Sequence, residues 1–138
     1  MLDKPLTELP KGYKPKQKEE YMNINQLEYF RRKLVDWRNE VLKSVKENFD
    51  TLKDNNESLD GLEEGDYATK QSTQQLNLKN ISRDNLLLGQ IDMALDRIKN
   101  RTFGYCIVTG DPIGIARLEA RPIAKMTIEA QEEHEAME

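Results

Sequence analysis

Ile24–Lys53, INQLEYFRRKLVDWRNEVLKSVKENFDTLK, is the stretch that decides the fold. Leu27, Leu34 and Val41 recur every seven residues, and Phe30 and Trp37 follow at the same period, three residues on. That is the a/d seam of a coiled coil. Val45, Phe49 and Leu52 continue the apolar face with shifted spacing. Asn23 stands ahead of the run as an N-cap, and Gln26 three residues later completes a capping-box-like pair. The spacing predicts a helix over 24–53, on the order of 45 Å long at ~1.5 Å per residue.

Beyond it, DNNESLDGLEEGD (Asp54–Asp66) interrupts the seam with turn-favouring Asn and Gly, and carries six carboxylates and no base. An acidic tip is expected near 54–68. A second helix is expected from Tyr67 to Asn100, with Leu87, Ile91, Ala94 and Ile98 stepping by four, three and four. Between Ala68 and Ser82 the apolar residues thin to Leu76, Leu78 and Ile81, so the hairpin should be weakest near its tip. Two long helices around a short turn make an antiparallel αα-hairpin. The seam can serve oligomerisation, but a return helix close at hand satisfies it in cis, and a monomer is expected.

Upstream, Pro5, Pro10 and Pro15 punctuate a polar segment and block regular structure, which predicts a mobile or extended arm. Downstream, Gly104 is placed to terminate the second helix. A compact module follows, and then an acidic helix from Ile123 bearing Glu129, Glu132, Glu133, Glu135 and Glu138. The expected organisation is an arm over 1–22, a coiled-coil hairpin over 23–102, and a module plus C-terminal helix over 103–138. The fold class is mainly α.

The 138 residues are 33% charged and 37% hydrophobic, which suits an elongated, coiled-coil-bearing chain better than a large spherical core. A net charge of −4 argues against sequence-independent nucleic-acid binding, which needs a basic surface. An acidic regulator more readily meets a basic protein surface. No apolar run approaches the ~20 residues of a membrane span. Met1-Leu2-Asp3-Lys4-Pro5 has no apolar core of a signal peptide, so a soluble, cytoplasmic protein is expected. No nucleophile–base pair, phosphate loop or metal cluster is visible, and there is only one histidine, so a stand-alone enzyme is not expected.

The single cysteine, Cys106, lies in Phe103-Gly104-Tyr105-Cys106-Ile107-Val108-Thr109-Gly110, which leads to Leu118-Glu119-Ala120-Arg121-Pro122. These runs, together with Glu20-Tyr21-Met22-Asn23, Phe30-Arg31-Arg32 and Trp37-Arg38-Asn39, resemble the DksA/TraR family of bacterial RNA polymerase-binding transcription regulators across nearly the whole chain. In that family a zinc finger follows FGYC. Here the other three ligand positions fall on Thr109, Thr127 and Ala130, so one ligand of four remains. The resemblance therefore implies a zinc-finger-like module without zinc. Structural zinc wants four ligands, and His134 lies too far along the acidic helix to replace one. Apolar packing by Tyr105, Ile107, Val108, Ile113, Ile115, Leu118, Ile123, Met126 and Ile128 is expected to take the metal's place. Cys106 itself reads as a small, partly buried remnant, with a redox-sensing thiol as the alternative.

The resemblance also implies site residues. The family's tip motif DxxDxA corresponds to Glu63-Glu64-Gly65-Asp66-Tyr67-Ala68, which keeps Asp66 and Ala68 and has Glu63 for the first aspartate. In the family this tip enters the polymerase secondary channel and alters open-complex lifetime. Arg83 stands where the family has a polymerase-gripping arginine. Leu87 and Arg121 match residues that help bind the alarmone ppGpp, while Gln90 and Gln131 stand at two lysine positions of that site. The implied function is regulation of ribosomal RNA and biosynthetic promoters in the stringent response. RNA polymerase, core or holoenzyme, is the expected partner and ppGpp a candidate co-regulator. Sequence-specific DNA binding and a membrane role are not expected. A Gre-type transcript-cleavage factor and a coiled-coil adaptor with no polymerase role are the alternatives.

Overall fold

The computed structural model of the chain describes residues 4–57 and 63–137. Its helices are α1 (Ile24–Glu57), α2 (Glu64–Lys99), α3 (Ile115–Ala120) and α4 (Ile128–Ala136). The chain is mainly helical, and α1 and α2 form the long hairpin. They contribute to both of two compact units, one made of residues up to Asp36 together with Gln90 onward, the other of Trp37–Gly89.

The start of α1 is set by its cap. Asn23 Oδ1 accepts the Gln26 N–H at 2.9 Å, and Gln26 Oε1 accepts the Met22 N–H at 2.7 Å. The box thus closes on Met22, one residue earlier than its usual partner, with Met22 at φ 53°. The helix continues through Asp54–Glu57 rather than ending at Lys53, because asparagine opposes helix propagation only weakly. Likewise α2 begins at Glu64, before Tyr67. The middle of the expected tip, residues 58–62, lies outside the described residues.

The first unit buries Leu27, Phe30 and Leu34 of α1 against Ile91, Ala94, Leu95 and Ile98 of α2 and Phe103 and Leu118 of the following module. The Phe30 and Phe103 rings lie 5.6 Å apart. At ~25 cal/mol per Å² of apolar surface removed from water, such residues dominate the stabilisation. The module is also tied to α1 by polar contacts, since the Glu119 carboxylate accepts from Tyr29 and from the Lys33 ammonium. Tyr21 adds a clasp: its hydroxyl donates to Gly104 O at 2.6 Å and accepts the Gly114 N–H at 2.9 Å.

Three expectations need correction in this unit. The Pro-rich arm is extended but anchored. Leu6 N–H donates to Glu28 Oε1 at 2.9 Å, Gln26 Nε2 donates to Lys16 O, and Tyr13 meets Tyr29 edge to face. Gly104 does not end α2. That helix closes at Lys99, with Arg101 in the left-handed region and the Thr102 and Phe103 N–H groups both bonded to Arg97 O. Gly104, at φ 91°, serves a close approach, since a Cβ there would lie 2.6 Å from Met22 Cγ. Finally, α4 starts at Ile128, not Ile123, because Thr127 is its N-cap and accepts the Ala130 N–H.

The second unit has a more polar seam. Val41 and Ile81 are buried, but so are Asn77 and Asp84. Counting by threes and fours back from Ile91 gives 88, 84, 81 and 77, so Leu76 and Leu78 fall off the seam and are exposed. Phe49, expected on the apolar face of α1, is also exposed. Asp84 Oδ2 accepts from Ser44 Oγ at 2.9 Å, a buried polar pair of the kind that pins coiled-coil register. The Asn77 amide nitrogen is buried without a partner among the described residues.

Glu28 is fully buried and holds the arm. Its carboxylate takes Arg31 Nε at 2.7 Å, Arg32 Nε at 2.6 Å and the Leu6 N–H. Burial opposes its charge, but the donors from Arg31, Leu6 and Arg32 outweigh burial and bring its pKa from 4.5 down to about 2. A depressed carboxylate contributes stability that is complete above the unfolded value and lost as pH falls through the folded one. Glu28→Gln is expected to cost about 2 kcal/mol at neutral pH. It should also flatten the loss of stability that wild type shows between pH 4.5 and about 2, as read by denaturant unfolding across that range.

Candidate functional site

At the start of α2 the sequence sets carboxylates around a helix N-terminus. Tyr67 N–H donates to Glu63 O at 2.9 Å, and Glu64 and Asp66 lie in the first turn. The helix dipole favours negative charge there. Glu63, Asp66 and Ala68 are all exposed, so Asp66 presents its carboxylate to solvent from a helix backbone.

Arg83, further along α2, has a side chain 70% exposed, with Nη2 3.4 Å from Asp84 Oδ1. Asp84 is therefore shared between Ser44 and Arg83 and holds one terminal nitrogen of the guanidinium, while most of the arginine side chain stays exposed. Asp84 was not among the expected residues; the heptad count through Ile81 and Ile91 is the signal that finds it. Leu87, one turn beyond, is half-buried on α2 in the same unit.

In the first unit, Cys106 is buried with Met126 and Ala130 in a small cluster. The four positions of the finger do not fit zinc. The Thr109 hydroxyl is hydrogen-bonded to the cysteine sulfur and accepts from Asp111 N–H, the Thr127 oxygen is spent on the α4 cap, and Ala130 has no donor atom. Among the described residues no group of three or more histidine, cysteine or acidic side chains is arranged to hold a metal ion. Packing around the turn differs from expectation. Ile113, Leu118 and Met126 are buried, but Tyr105, Ile107, Val108 and Ile128 are exposed. The turn closes by Gly110 N–H to Cys106 O, and the N–H groups of Val108 and Thr109 face the sulfur, which turns the side chains of Ile107 and Val108 outward. Phe103, Ala124 and Ala130 fill the core instead.

Beside this module Arg121 borders a hollow that also contains Gln90, Arg97, Arg117, Lys125 and Gln131. Arg121 thus shares a site with the two glutamines at the family's lysine positions. Arg97, Arg117 and Lys125 were not singled out by motif, because they reach the hollow from three separate stretches of chain.

The profile of "DnaK suppressor protein DksA, N-terminal domain" matches residues 26–98, and that of "Prokaryotic dksA/traR C4-type zinc finger" matches residues 101–136. The chain belongs to the DksA family. The "RNA polymerase-binding transcription factor DksA" of Caulobacter vibrioides is 43% identical over 91% of this chain and 87% of its own length. The protein of the same description from Escherichia coli K12 is 37% identical over 86% and 78%. Transcription factor DksA2 from Pseudomonas aeruginosa has a solved structure that matches with a TM-score of 0.76 and 35% identity, covering 85% of this chain and 88% of that one.

Burial raises the Cys106 pKa, but the Thr109 hydroxyl and the N–H groups of Thr109, Thr127 and Val108 outweigh it and bring the thiol from 9.0 to about 6. Thiolate absorbance at an ultraviolet wavelength is expected to titrate with a midpoint near 6 in the native protein and to return to the ordinary cysteine range when it is unfolded. Thr109→Val should move the native midpoint upward.

Proposed function

We propose that the chain is a zinc-independent transcription regulator that binds RNA polymerase in the bacterial cytoplasm. The observation that carries this reading is the 43% identity, over 91% of the chain, to a protein described as an RNA polymerase-binding transcription factor. The tip side chains Glu63, Asp66 and Ala68 act inside the secondary channel, where Asp66 perturbs hydrogen bonds near the active centre without chemistry of its own. The coiled coil supplies the stiffness this needs, and the largely exposed Arg83 side chain grips the polymerase. The arm over 1–22, the hairpin over 23–102 and the module over 103–138 are then anchor, probe and docking foot. The protein works as a monomer on core or holoenzyme, and Leu87 and Arg121 bind ppGpp as co-regulator.

Absence of zinc is part of this reading, supported by Thr109, Thr127 and Ala130 at the ligand positions. Such a regulator keeps its fold when zinc is scarce.

In vitro transcription from a ribosomal RNA promoter tests the proposal. Wild type is expected to repress, and Asp66→Asn to lose most of the repression while still binding polymerase. Stimulated RNA cleavage in backtracked complexes would instead indicate a Gre-type factor, and failure to bind core polymerase would leave only the adaptor reading.

A further inference from the structure

The Pro-rich arm is basic where it lies against α1. Lys11-Gly12-Tyr13-Lys14-Pro15-Lys16-Gln17-Lys18 carries four lysines and no acid, in a chain whose net charge is −4, and all four are exposed. The contacts that anchor the arm come from the Leu6 N–H, the Tyr13 ring and the Lys16 carbonyl. Anchoring therefore does not account for the lysines.

The same stretch borders an open hollow of about 450 Å³, room for a short run of side chains. On the arm it is edged by a tight turn, closed by Tyr13 N–H to Pro10 O at 3.0 Å with Gly12 at φ 74°. On α1 it is lined by Tyr29, Arg32 and Lys33, and Leu9 and Pro10 add apolar wall. The polar groups of this lining are held by carboxylates that are not part of it. The Tyr13 hydroxyl donates to Glu19 Oε2 at 3.0 Å, and the Tyr29 hydroxyl donates to Glu119 Oε1 at 2.6 Å. Lys33 Nζ donates to the same Glu119, and Arg32 Nε donates to Glu28 Oε2 at 2.6 Å. With both hydroxyls committed, the two rings, edge to face at 6.3 Å, give the hollow apolar surface. Arg32 keeps 46% of its side chain exposed, Lys11 is exposed on the turn, and Asp36 is the one carboxylate of the lining among the described residues. Groups fixed in advance lose little freedom when a partner arrives.

We propose that this hollow, with the lysine stretch beside it, is a docking site for an acidic segment of RNA polymerase. An apolar side chain of that segment lies against Tyr13, Tyr29 and Pro10, and its carboxylates face Lys11 and Arg32. The inference rests on the reading of polymerase as partner and adds a contact on the arm, apart from the hairpin tip and the 103–138 module. Charge complementarity carries it: a locally basic surface on an acidic chain selects an acidic partner and speeds the encounter. A nucleic-acid strand would also meet the lysines. The apolar walls and the Asp36 carboxylate suit a peptide better than a phosphate backbone.

Binding of the full chain to core polymerase at low and high salt tests the site, with Lys11→Glu as the probe and Lys4→Glu as the control. Both lysines are exposed, and Lys4 carries the same charge change outside the hollow. Lys11→Glu is expected to weaken binding about fivefold at low salt, with the difference shrinking at high salt, and Lys4→Glu to leave it within about twofold. A benzophenone side chain placed at position 11 should crosslink to an acidic stretch of polymerase in the complex. Equal affinity of wild type and both variants overturns the site and leaves the polymerase reading intact. A crosslink from position 11 only to a second copy of the chain does the same. If wild type does not bind core polymerase at all, the partner reading and the site fall together. If the isolated chain binds a single-stranded oligonucleotide through Lys11 while polymerase affinity is unaltered, the arm is a nucleic-acid contact and the proposal fails.

Discussion

One phenol hydroxyl ties the segment ahead of the hairpin to the module that follows it. Tyr21 stands just before α1 and bonds Gly104 O and Gly114 N–H, the two flanks of the Cys106 turn. Its ring also meets Tyr105 edge to face at 5.5 Å. The clasp demands glycine at 104, where Met22 leaves no room for a Cβ. From this follow the position of Phe103 against Phe30 and that of the Cys106 turn over Met126 and Ala130. A neutral hydroxyl that donates one bond and accepts another in a part-buried site is fully satisfied, so it costs little desolvation and fixes geometry in two directions.

Much of this was legible in the sequence, for reasons that differ by element. The seam Leu27, Phe30, Leu34 and Val41 is buried because a seven-residue period has few other uses. The Asn23 cap was readable because side-chain capping is local. The exposed Phe49 was misread because near the tip polar residues hold the seam, and hydrophobicity there no longer reports which face is inside. The anchored arm was missed for a different reason. Its attachment depends on Glu28, a buried carboxylate that looks like an ordinary helix-surface residue until Arg31, Arg32 and Leu6 are seen around it.

The site shows the same division. Glu63, Asp66, Ala68 and Arg83 were accessible to motif matching because each is a property of one continuous helix start or face. The cationic hollow was not, since Arg97, Arg117 and Lys125 converge only in three dimensions. The charge pattern has a physical logic. Carboxylates gather at the start of α2 and cations in the hollow of the module, so an acidic chain carries a local basic patch.

On the proposed zinc-independent reading, packing and the Tyr21 clasp, rather than a metal, hold the module folded. Thermal unfolding of the full chain in excess zinc and again after prolonged treatment with a strong chelator tests it most directly. The same midpoint and cooperativity in both conditions are predicted. A midpoint that falls on chelation and returns with zinc would mean that a metal holds the module.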